Sequence, residues 1–178
     1  MISVVRIIAP REALILTTLI NHPWLLHDQL EEVAGMHFGN PDARRLADAI
    51  LQAFSDLPHA ADAERLREVM AEKLRAGGFS EILQRLDRAV TNAAVWGALP
   101  DAAHQDVILT WRQLVFLHHQ RNSLTKELKE AELALASEPS EPNFTWLKDV
   151  QTRLSAVDGI EALVEGFGSA SGRAAGGM

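Results

Sequence analysis

Seven histidines are the residues in this chain best suited to acid–base or metal chemistry, so their spacing is the first question. His22 and His27 are five residues apart and Asp28 follows His27, a His-Asp pair of the kind used by metal-dependent phosphohydrolases. Helical hydrolases of that type need a further histidine well upstream and another aspartate far downstream. His22 is too close to serve, and Pro23 separates it from His27. Both are expected to be helix-end histidines half in solvent. His118 and His119 are adjacent, so on a helix they point about 100° apart and do not chelate as an i, i+4 pair does. One is expected at a helix seam and the other in water. His104, three residues after Asp101, reads as a first-turn charge pair. The chain has no phosphate-binding glycine loop, no H-E-x-x-H and no G-x-S-x-G. It has no cysteine, which removes disulfides, thiolate metal sites and thiol nucleophiles. No catalytic residue, metal or cofactor is expected, and this chain is not expected to be an enzyme. A metal-dependent helical hydrolase built on His22, His27 and Asp28 is the remote alternative.

The elements that would position any site are helices. Between Pro100 and Pro139 there is neither Gly nor Pro, and good helix formers dominate. One helix of that length runs to about 54 Å, longer than a small domain is wide. Its first half (Val107, Ile108, Trp111, Leu114, Val115, Leu117) is apolar enough to enter a core. Its second half keeps only the stripe Leu124, Leu128, Ala131 and Leu135, the mark of a seam facing one partner helix.

Upstream, Pro10 opens an almost wholly apolar run to Asn21, placed at the centre of a bundle. Pro23 stops it and starts a second helix (Trp24, Leu26, Leu30, Val33) that ends at Gly35. Asn40-Pro41 pairs an N-cap with Pro at the first helical position, followed by Leu46, Ile50 and Phe54. Leu66, Val69, Met70 and Leu74 form a fourth helix stopped by Gly77-Gly78. Ser80 caps a fifth (Ile82, Leu83, Leu86, Val90) that frays around Gly97. Downstream, residues 137–142 are a polar, Pro-rich turn. Phe144, Leu147, Val150, Leu154 and Val157 then complement the stripe, with a kink or break at Asp158-Gly159. No period-two alternation appears. The expected fold is all-α: a lead-in over 1–9, a bundle of five to six helices over 10–117, an antiparallel helical hairpin over 118–167 and a flexible tail over 168–178. Of the four tryptophans, Trp24, Trp96 and Trp111 are expected in the core.

Net charge is −7, with no basic cluster longer than Arg44-Arg45, so direct nucleic-acid binding is not expected. The apolar start is interrupted by Arg6, Pro10, Arg11 and Glu12 and is too short to span a bilayer, so no membrane partner is expected; the absence of cysteine leans the expected location to the cytoplasm.

The run Pro10-Arg11-Glu12-Ala13-Leu14-Ile15-Leu16-Thr17-Thr18-Leu19-Ile20-Asn21-His22-Pro23-Trp24-Leu25-Leu26 resembles the opening of the C-terminal helicase-binding domain of bacterial replicative DNA primases. That family typically shows an Arg-Glu pair, an apolar helix and an Asn-His-Pro stop followed by leucines. The order bundle, long helix, two-helix hairpin is also similar, over roughly residues 10 to 167. The hairpin is recognised by layout alone. The resemblance implies a docking module that binds the N-terminal collar of the hexameric replicative helicase, monomeric in isolation, with the zinc and polymerase domains of a primase lying elsewhere in a longer parent. The N-terminal collar domain of a replicative helicase is the alternative. No contact residue carries over from the family. The candidate partner-binding residues rest on exposure near the seam and at the apolar end of the hairpin: Phe144, Trp146, Leu163, Val164 and Phe167.

Overall fold

The computed structural model of the chain describes residues 7–91 and 95–166, and all described regular elements are helical. Helix α1 (Pro10–Asn21) starts with Pro in its first turn, where the missing N–H costs nothing. Every residue from Arg11 to Ile20 is buried. A helix dry on all sides must be surrounded, and α1 packs against three other helices of the bundle and against the long helix.

A 3-10 turn, Pro23–Leu25, leads into α2 (Leu26–Ala34). Helix α3 (Pro41–Ser55) is capped by Asn40, whose Oδ1 accepts from the N–H groups of Asp42 and Ala43 at 2.8 and 3.2 Å. Helix α4 (Ala63–Ala76) is capped by Asp62, which accepts from Arg65 N–H at 2.8 Å. It carries Lys73 and Arg75 in its last turn, and Gly78 then adopts φ 88°, a left-handed conformation natural only to glycine. Helix α5 is described over Ser80–Thr91. Gly97 belongs instead to a separate 3-10 turn, Trp96–Ala98, laid against the long helix.

That turn needs glycine for space. A Cβ at position 97 would stand 2.0 Å from Thr110 Oγ1 and 2.6 Å from the Asp106 carbonyl oxygen, the second a backbone atom that cannot rotate away. Gly97→Ala is therefore expected to cost about 1–3 kcal/mol through overpacking, read as a lowered urea midpoint. An unchanged midpoint would show that the contact relaxes freely.

Helix α6 (His104–Ser137) is one unbroken helix of 34 residues, about 51 Å long. Val107, Trp111 and Leu114 close the bundle core, and a separate cluster begins at Leu117. Helix α7 (Glu141–Gly166) packs against α6 and makes no comparable contact with any other described element. The Asp158-Gly159 pair does not break α7. Gly159 sits inside the helix with nothing within 4 Å of a Cβ placed on it, so no neighbour forces a bend there. Among the described residues, no helix is long and apolar enough to cross a membrane.

Candidate docking surface

Beyond Asn122, α6 has only α7 for cover among the described residues, and together they form an arm. Leu117, Leu124 and Ala131 on α6 and Val150 and Val157 on α7 are buried, while Leu128, Leu135, Leu147 and Leu154 are half-buried. The α7 stripe runs Asn143, Leu147, Val150, Leu154, Val157, with spacing 4, 3, 4, 3. It begins one residue before the Phe144 that the sequence pattern suggests. Asn143 takes that place because its Nδ2 donates to the Glu138 carbonyl at 2.9 Å and to the Ala134 carbonyl at 3.3 Å, where it joins the Glu138 N–H at the C-terminus of α6. Phe144 is left 47% exposed, with the Lys148 ammonium 5.1 Å above its ring.

Polar pairs fix the register. Arg153 bridges to Glu127 through Nη2 at 2.6 Å and Nη1 at 3.2 Å, and it also holds Asp149 through Nε at 2.9 Å. Arg121 pairs with Asp158. Residue numbers fall on α6 as they rise on α7, so the helices are antiparallel. Trp146 donates from Nε1 to Glu127 at 3.0 Å and is half-buried. The bonds from Arg153 and then Trp146 hold the Glu127 carboxyl below its usual range, and the bond to Glu127 in turn raises Arg153. Within each ion pair the two partners are nearly equidistant in sequence from Ser140, a symmetry visible in the sequence once the turn is placed.

Phe144 and Trp146 are two residues apart, about 200° round a helix, and so flank the seam on opposite sides. They do not form one patch. Leu163 and Val164 lie on the helical backbone of α7, and Phe167 falls outside the described residues.

A polar joint marks the place where α6 leaves the bundle. Arg11 on α1, though buried, donates from Nε to His118 Nδ1 at 3.1 Å. Because Nδ1 accepts, His118 is neutral with its proton on Nε2, which donates to the His37 carbonyl at 2.8 Å. Asn122 Nδ2 donates to the same carbonyl at 3.0 Å. Glu12 Oε1 accepts from Gly39 N–H at 2.6 Å, and His119 pairs with Glu32 on α2. Burial first, then the nearby Arg11 charge, pushes the His118 pKa down to about 4.

The other histidines stand apart. His22 is 4% exposed rather than half in solvent, and its Nε2 is engaged by the Leu99 carbonyl at 2.9 Å. Burial lowers its pKa as well. His27 and Asp28 face solvent. Among the described residues, no three His, Cys, Asp or Glu side chains gather as a metal would need. Of the three tryptophans expected in the core, Trp111 alone is fully buried. Trp24 stacks on His104 at 4.2 Å and is half-buried, and Trp96 is 36% exposed. Each sits at a bundle edge, where a large ring covers core without being enclosed.

Compared with family models, curated proteins and solved structures, the chain matches none of them.

Proposed function

We propose that this chain is a protein-docking module, the helicase-binding domain of a bacterial DNA primase. In this reading it holds the N-terminal domain of the hexameric replicative helicase and so brings primer synthesis to the replication fork in the cytoplasm. The chain itself carries no catalytic step.

The observation that carries the reading is the arm. A two-helix projection whose substantial packing, among the described residues, is with itself contributes little to the bundle core, yet it presents both flanks to solvent. Such a surface suits recognition by another protein. The opening Arg11-Glu12 to Pro23 motif supports the same reading. Arg11 and Glu12 are the two charged groups that tie α1 to the joint from which the arm departs.

The test is direct binding of the intact chain to the isolated N-terminal domain of a bacterial replicative helicase, followed by fluorescence anisotropy. Saturable binding by a monomeric chain is the expected result. Absence of binding, together with assembly of the chain into a ring-sized oligomer on gel filtration, would favour the helicase-collar reading instead.

A further inference from the structure

Where it leaves the bundle, α6 carries two unlike faces. Leu117, Arg121 and Leu124 lie on the side turned to α7, where Leu154 and Val157 pack and Asp158 pairs with Arg121. About 140° round the helix run Val115, His118, His119 and Asn122, at i, i+3, i+4 and i+7. Val115 is apolar and packs on the bundle core. The other three are polar, and each reaches out of α6. His118 and Asn122 both donate to the His37 carbonyl, at 2.8 and 3.0 Å, and His119 pairs with Glu32 on α2. The loop between α2 and α3 that offers this carbonyl is itself pinned. Its Phe38 is fully buried, with the ring 5.4 Å from that of His118, and the Phe38 carbonyl accepts from Arg44 Nη2 at 3.1 Å. Gly39 N–H is held by Glu12. Among the described residues, the apolar cluster of the bundle and that of the arm are separate, the first closing at Leu114 on α6 and the second opening at Leu117.

We propose that these polar contacts are a latch that sets the direction of the arm, with Asn122 and His119 as its positioning residues. Long helices curve gently, so the continuity of α6 does not by itself fix where its outer half points. Hydrogen bonds fix distance and angle together, which apolar packing does not. With the latch closed, the outer half of α6 leaves the bundle along one line. With it open, α6 stays helical and the arm takes a range of directions. The latch contributes direction more than stability: Asn122 is half-buried, His119 and Glu32 are exposed, and water replaces their bonds at small cost. It acts in the free chain, whatever partner the arm meets, and so stands apart from the docking reading.

The chain has no cysteine, so Asp48→Cys on α3 and Leu133→Cys on α6, both exposed, give the intact chain two spin-labelling sites, one on the bundle and one on the arm. Pulsed electron spin resonance then reads the distance between them. The labelled parent should give one narrow peak. Asn122→Ala with His119→Ala should broaden or split that peak while the urea midpoint stays close to that of the parent. Asn122→Asp with His119→Ala keeps the shape at position 122 but removes the donor, and should broaden the peak as fully. His119→Arg alone, which keeps a cation opposite Glu32, should leave it narrow. A second pair within the arm, Leu133→Cys with Gln151→Cys, should keep its narrow peak in every variant. A bundle-to-arm peak that stays narrow in the double Ala variant would show that α6 alone sets the direction, and the latch is overturned. A narrow peak with Asn122→Asp would replace the bond with simple packing and overturn it as well. A broad peak in the parent, broadening of the pair within the arm, or a large fall in the urea midpoint would each count against it in the same way.

Discussion

Acidification from pH 7 to about pH 4 is expected to remove about 3 kcal/mol of folding stability through His118 alone. The folded state holds the imidazole neutral, with a pKa near 4 against 6.5 when unfolded, so below pH 6.5 the unfolded chain binds the proton more readily. Stability is thus full above about 6.5, falls as the pH drops through that value, and levels off for this group once the folded form also protonates. A second proton on Nδ1 would face the Arg11 guanidinium and forfeit the bond that Arg11 donates. His22, also lowered by burial, adds a loss of the same sign. Urea denaturation at several pH values reads the slope. His118→Gln keeps an acceptor for Arg11 and a donor for the His37 carbonyl but does not titrate, so it should flatten most of the fall between pH 6.5 and 4.5. A slope unchanged by that substitution would locate the effect elsewhere.

The second large effect concerns the arm. A chain cut after Ser123 retains His118 and Asn122, and with them the joint, but loses the rest of the seam. The bundle core, which closes at Leu114, does not draw on α7. The shortened chain is therefore expected to stay helical and to melt cooperatively. On the proposed docking function, its affinity for the helicase N-terminal domain should fall on the order of a hundredfold, since α7 and every contact it offers are gone. Binding equal to that of the intact chain would remove the arm from the interface.

Much of the architecture could be read directly from the residues. The absence of Gly and Pro between residues 100 and 139 marked α6 to within a few residues at each end, and Asn40-Pro41 and Gly77-Gly78 marked α3 and α4. These signals are local, because capping and backbone freedom depend on a few neighbouring residues. The misreadings have non-local causes. Phe144 outranks Asn143 on any hydrophobicity count, and only the approach of the α6 C-terminus gives Asn143 its reason to face inward. His22 looked half wet because its partner, the Leu99 carbonyl, is 77 positions away. Gly159 reads as a breaker in isolation, yet α7 continues through it to Gly166.

The unbroken passage of α6 from bundle to arm makes the arm a lever. From His118 to Ser137 it reaches about 30 Å at 1.5 Å per residue. A tilt of only about 10° at the clasp of Arg11, His118 and Asn122 would sweep the far end by about 5 Å, one full helical turn. Small rearrangements among those few side chains would thus be magnified at the turn, and a pull on the turn would be concentrated back onto them.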